Sequence, residues 1–153
     1  MITEDYVSIE TAKLLKEKGF DEKCFQYWHE KDNELVHSQS MYPIQNISNP
    51  CFFGPAAPTL QMATKWLQEA LNILVIPNYE YECDDTPWCY KIFMLEEGGK
   101  PQRVPIKGVS YDKDNNPTEH IVGYRDYERS YKDYSTKEEA IEEGIKYCLE
   151  NLI

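Results

Sequence analysis

Basic residues are scarce in this chain: 16 Lys and Arg stand against 27 Asp and Glu in 153 residues, a formal net charge of −11 at pH 7. Such a surface repels phosphate backbones and anionic lipid, so direct nucleic-acid contact and membrane association are both disfavoured. No apolar run approaches the ~20 residues needed to cross a bilayer. The opening Met-Ile-Thr-Glu-Asp is acidic and has no basic-then-apolar leader, so no secretory signal is expected. Cys-x-x-Cys is absent. The five cysteines (24, 51, 83, 89 and 148) are odd in number and widely spaced, which speaks for reduced thiols and cytoplasmic residence rather than a disulfide framework. Gly-rich phosphate loops, Gly-x-Ser-x-Gly elbows and His-Glu-x-x-His pairs are missing too, which removes the common signatures of phosphoryl transfer, hydrolysis and zinc proteolysis.

The chain does carry enough apolar residue, 41% against 28% charged, to build one core without metal or disulfide, and its length suits a single domain over residues 1–153. Three segments have helical period. The first covers residues 8 to about 18, with Ile9, Ala12, Leu14 and Leu15 on one side, Gly19 as the stop and Phe20 folding back. The second covers residues 59–72, capped by Thr59, with Leu60, Ala63, Leu67, Ala70 and Leu71 as its buried face. The third begins at Ser135, where Ser135 and Glu138 fit a capping box. Ile141, Ile145, Cys148, Leu149 and Leu152 form its stripe, beside an Ala140–Gly144 notch that suits a close neighbour.

Between the helices lie β-branched and aromatic runs. Residues 24–29 and 35–38 predict a hairpin around 31–34, and 73–76 a buried strand ending at Pro77. A second hairpin is expected from 79–83 and 88–95, and a third from 104–111 and 120–127, the last within a hairpin insertion over 96–131. Residues 42–58, with four prolines, read as a long loop pinned to the core by Cys51-Phe52-Phe53. Strands and helices do not alternate regularly, so the expected fold is α+β: an antiparallel sheet of about five to seven strands with three helices mainly on one face.

Reactive groups do not gather. With residue 30 opposite 35, His29 faces Val36 and His37 faces Trp28, so the two imidazoles point to opposite sides of the sheet and no metal site is expected. Cys24 and His29, five apart on a strand, also alternate faces. In the second hairpin, setting Glu80 opposite Lys91 matches charge with charge, puts Tyr79 and Tyr81 with Tyr90, Ile92 and Met94, and separates Cys83 from Cys89. No catalytic, cofactor-binding or metal-binding residue is assigned, and no cofactor is expected. The acids Glu138, Glu139, Glu142 and Glu143 read as a solvated helix face. The unusual component is tyrosine, twelve in all, and acid-flanked tyrosine is good contact chemistry. Tyr79, Glu80, Tyr81, Glu82, Asp84, Asp85, Tyr124, Tyr127, Tyr131 and Tyr134 form the expected protein-contact surface.

Three stretches also carry a resemblance. Tyr6-Val-Ser-Ile-Glu-Thr-Ala-Lys-Leu-Leu-Lys-Glu-Lys-Gly-Phe-Asp-Glu22, Pro58-Thr-Leu-Gln-Met-Ala-Thr-Lys-Trp-Leu67 and Tyr134-Ser-Thr-Lys-Glu-Glu-Ala-Ile-Glu-Glu-Gly-Ile-Lys-Tyr-Cys-Leu-Glu-Asn-Leu-Ile153 are similar to uncharacterised short proteins of prophages and mobile elements from gut bacteria. They cover under half of the chain, at the helices, and the 96–131 segment has no counterpart. That group has no assigned catalytic residues, so none carries over. The resemblance implies a cytoplasmic accessory protein of phage origin. The expected function is therefore non-enzymatic contact with another protein, a basic host protein by charge, with DNA mimicry as one form of it. The alternative is a small-ligand or enzyme pocket between the sheet and the 42–58 loop, using Cys51, Trp66 or Trp88. A free edge near Val104 suits pairing with a second copy, giving a homodimer.

Overall fold

The computed structural model describes residues 4–38, 42–82, 85–130 and 132–153; Cys83, Asp84 and Tyr131 lie outside them. The described chain is α+β, with three helices and seven strands in three antiparallel sheets. In chain order the elements are α1 (Ile9–Glu17), β1 (Gln26–His29), β2 (Glu34–His37), α2 (Leu60–Leu71), β3 (Ile73–Tyr79), β4 (Trp88–Met94), β5 (Val104–Tyr111), β6 (Pro117–Arg125), β7 (Glu128–Arg129) and α3 (Lys137–Asn151). The strands divide as β1–β2, β3–β4–β7 and β5–β6. Among the described residues, no helix is long and apolar enough to cross a membrane.

Helix ends follow local chemistry. The Ser8 and Thr59 side chains accept the amides of Thr11 and Met62, and α2 stops at Asn72 in the left-handed region (φ 56°). Gly19 (φ +90°) turns the chain after α1, and the Phe20 amide then reaches Leu15 O at 2.9 Å while its ring is fully buried. The capping box of α3 uses Thr136 and Glu139 rather than Ser135 and Glu138. Both frames fit the pattern. Tyr134 decides between them, because it exchanges backbone bonds with Trp88 (3.1 and 2.6 Å) and stays extended, leaving Ser135 to make the turn.

The expected hairpin registers are corrected. His29 opposes Glu34 and Gln26 opposes His37, two residues tighter than the sequence suggested, because left-handed Asn33 (φ 54°) closes the turn. The shift is even, so the histidines still occupy opposite faces. The 73–76 run does not end at Pro77 but continues to Tyr79, with Pro77 tolerated because β3 is a sheet edge. Tyr79 then pairs with Trp88 and Ile76 with Lys91, four residues from the charge-matched register, and Glu80 begins the connection instead of facing Lys91. Burial outweighs charge matching here. The observed register lays Val75 against Ile92 under the helices, worth about 1.5–3 kcal/mol per buried side chain, against 0.2–1 kcal/mol for a surface cross-strand pair. β6 starts at Pro117, earlier than expected, and β7 returns to the free edge of β4.

The 42–58 loop is pinned differently from expectation. Phe52 is 98% exposed and Phe53 61%, whereas Ile44, Pro55, Ala56, Ala57 and Pro58 are buried. Residues 53–57 run beside β1 (Trp28 N to Pro55 O 3.0 Å, Ala57 N to Gln26 O 2.9 Å), and buried Asn46 ties the loop together by donating to Phe20 O and accepting from Ala56 N. The physical reason is the backbone: a segment paired on β1 must turn small residues and proline inward, which throws the two phenylalanines out.

The core lies between α2, α3 and the β3–β4 ribbon, with α1 packed on α3. Val7, Leu15, Phe20, Leu67, Ile92, Ile145 and Leu149 are fully buried there. The small-residue notch works as expected: a Cβ on Gly144 would sit 2.7 Å from Val75 Cγ1 and 3.1 Å from Tyr90 Cγ. Gly144→Ala should therefore lose up to about 2 kcal/mol, the overpacking cost of about 1–3 kcal/mol less the helix-propensity gain of about 1. Thermal unfolding would show this as a Tm lowered by up to roughly 8 °C; a raised Tm would mean that helix and sheet are not in contact there.

Candidate functional site, an acidic cleft

Helix starts bring the carboxylates together. Residues 4–7 run beside the start of α2 (Val7 N to Pro58 O 3.1 Å, Leu60 N to Asp5 O 2.8 Å), and the Trp28 indole donates to Val7 O at 2.9 Å. The first two turns of α3 and the segment before it form the facing wall. Between them lies an open cleft of about 790 Å³. Trp28, Leu35, Leu60, Tyr6 and Tyr134 supply its apolar surface; Glu4, Asp5, Asp133, Glu138, Glu139, Glu142 and Glu143 supply seven carboxylates against one lysine, Lys132. A second cleft of about 500 Å³ adjoins it and shares Glu4, Asp5, Leu60 and Glu138.

Several of these acids hold the fold. Glu142 belongs to no solvated face: its Oε1 accepts from Ser8 N at 2.9 Å, from Ser8 Oγ at 2.7 Å and from the hydroxyl of fully buried Thr11. A carboxylate of α3 thus sits on the N-terminus of α1, where the helix dipole favours negative charge. Glu139 closes its own capping box. Asp133 joins Glu80 in receiving the Arg129 guanidinium (3.3 and 2.5 Å), beside the fully buried Cys89 thiol, which lies 3.7 Å from Glu80. Contact with Cys89, then the two carboxylates, holds Arg129 above its ordinary pKa. Glu80, Cys89 and Asp133 have metal-type donors within 4.8 Å of one another, but three donors fall short of a closed zinc shell and the balancing cation is the chain's own arginine.

The expected contact residues are distributed over several places. Tyr79 and Tyr81 are exposed and pack edge-on (5.5 Å), with Trp88 next to Tyr79 (5.2 Å) and Glu82 and Asp85 exposed nearby in sequence. Glu80 is drawn into the Arg129 cluster. Tyr124 is exposed on β6, opposite Pro105. Tyr127 packs against Phe93 (5.4 Å) under Lys91, and Tyr134 stacks on Tyr90 (6.2 Å), where burial raises both hydroxyl pKa values. Among the described members of the set, only Tyr134 lines the acidic cleft. Sequence reasoning missed Glu4, Asp5, Tyr6 and Trp28, and no local pattern joins residues 4–6 to residues 132–143.

Beneath the 42–58 loop lies a further cleft of about 700 Å³, lined by Cys51, His37, Tyr27 and Phe53 among others. Trp66 and Trp88 lie elsewhere, against Phe20 (5.5 Å) and Tyr79. Comparison with protein-family models, with curated proteins and with solved structures returns no match.

Two measurements check this account. Glu142→Ala should cost about 1–3 kcal/mol, because three donors lose their acceptor. That corresponds to a Tm roughly 2–12 °C lower. Glu142→Gln, which keeps a carbonyl, should lose less, and wild-type Tm in both variants would remove Glu142 from the α1 cap. For the thiols, burial pushes Cys24 and Cys148 up to about 12, whereas Cys51 is partly exposed. A thiol reagent at about pH 8 should label Cys51 before Cys24, Cys89 or Cys148, as read by peptide mass. Early labelling of Cys24 or Cys148 would contradict the core described above.

Proposed function

We propose that the chain is a non-enzymatic accessory protein that binds a basic segment of another protein in its acidic cleft. The observation that carries this is the lining: seven carboxylates to one lysine around Trp28, Tyr6 and Tyr134. Aromatic faces flanked by carboxylates suit Lys and Arg side chains, which gain cation–π contact and charge-assisted hydrogen bonds together. A duplex mimic would need negative charge spread over a convex face at about one per 1.7 Å of axis; an acid-lined concavity favours one extended basic segment instead. The three resembling stretches support the mobile-element setting, and a basic host protein is the partner class that the charge complements.

Trp28 is a built-in reporter. Titration with a Lys/Arg-rich peptide should change tryptophan fluorescence, and a neutral peptide of equal length should not. Asp5→Asn with Glu138→Gln, both lining the two adjoining clefts, should weaken binding about 2–10-fold. Raising salt from about 50 to about 300 mM should weaken it further. Equal affinity for the neutral peptide, or indifference to salt, would sink the proposal.

A second reading has its own observation, a thiol and an imidazole lining one cleft at Cys51 and His37. Such a pair suits a small ligand or nucleophilic chemistry. Protection of Cys51 from labelling by a small molecule, with Tm maintained, would support it.

A further inference from the structure

The β5–β6 ribbon is a sheet of its own, with no third strand on either edge among the described residues, and its strands pack principally on each other. Isolated two-stranded ribbons are marginal in water. Yet this one is eight residues by nine and keeps bulky apolar side chains in solvent: Val109 is 51% exposed, Ile121 56%, Tyr124 57% and Tyr111 65%.

The register puts these four on one side. Lys107 pairs with Ile121, Val109 with Glu119 and Tyr111 with Pro117; beyond the bulge at Val122, Pro105 pairs with Tyr124 and continues the same face. Val122 itself lies on the opposite face, where it covers Gly108. Both faces are exposed, and the one bearing these four is an apolar stripe crossed by one cation and one anion, Lys107 and Glu119, which are 3.2 Å apart.

Charge selects the occupant. Two copies of a chain at −11 repel, but the ribbon, residues 104–125, contains three basic and three acidic residues and so carries no net charge. The ribbon is the part of the surface where copies can approach while their acidic bodies stay apart. Its face is also self-complementary: a two-fold axis can set each Lys107 against Glu119 of the other copy, with the apolar stripes meeting beside them. We propose that this face of β5–β6 is the contact through which two copies of the chain form a closed dimer. The proposal stands independently of the cleft.

The test is sedimentation of the full chain from about 1 to about 500 μM. A ribbon-on-ribbon contact is at the small end of stable interfaces, about 1,200 Å² in total, so a dimer of micromolar Kd is expected. It should persist in about 0.5 M NaCl because its centre is apolar. Val109→Glu with Ile121→Glu should weaken it at least tenfold, with the Tm unchanged when both proteins are compared dilute enough to be monomeric, since the stripe covers no other part of the fold. Lys107→Glu and Glu119→Lys should each weaken self-association several-fold at low salt, and mixing these two variants should restore a heterodimer. A wild type still monomeric at about 500 μM would overturn the proposal. So would a dimer indifferent to Val109→Glu with Ile121→Glu, or a failure of the charge-swapped pair to combine. Association abolished by 0.5 M NaCl would point instead to the ribbon entering the acidic cleft of another copy, and would overturn it as well.

Discussion

The approach of α3 to the β3–β4 ribbon at Gly144 sets the geometry of the rest of the structure. Because that position has no side chain, the helix lies against Val75 and Tyr90 without displacing either. Ile145, Cys148 and Leu149 are thereby fully buried, Tyr134 stays paired with Trp88, and α1 has a wall to dock on. A wider separation would open voids along the whole stripe, and protein interiors lose stability steeply with voids of even one methylene. The same approach places the first turns of α3 opposite residues 4–6, which creates the cleft.

The acidity of the chain has two physical roles, and the structure separates them. Glu139 and Glu142 satisfy helix N-termini, where a carboxylate meets orphan donors and the positive end of a dipole. Glu80 and Asp133 surround Arg129. What is left over, with Asp5 and Glu138 shared by both clefts, gives the concavity its charge. Concentrating like charge has an energetic cost, and here the structural use of part of it lowers that cost. Tyr134 belongs to both roles, stacked on Tyr90 on one side and lining the cleft on the other.

Legibility followed range. The Thr59 cap, the left-handed stop at Gly19 and the Gly144 notch are local or one-contact features, and each stood in the sequence as a short pattern, whereas the frame of the α3 capping box waited on the pairing of Tyr134 with Trp88. Hairpin pairing was legible in parity but not in register. Parity depends on the alternation of side chains, whereas register depended on Asn33 in one hairpin and on burial of Val75 and Ile92 in the other. The 42–58 loop misled because hydrophobicity marks Phe52 and Phe53 as anchors, while backbone pairing to β1 turns Ala56 and Pro55 inward instead.

The sequence by itself determined the α+β class, the three helices with the Thr59 cap and the Gly19 stop, and the sign of the surface charge, since propensity, period and composition act within a few residues. Only the tertiary structure decided that Glu142 caps a helix more than 130 residues away, that Asp5 and Glu138 face one cleft, and that the strands divide into three sheets. Those outcomes depend on how helix and sheet surfaces fit at close range. That fit is a property of packed side chains in three dimensions, and no segment of the chain specifies it alone.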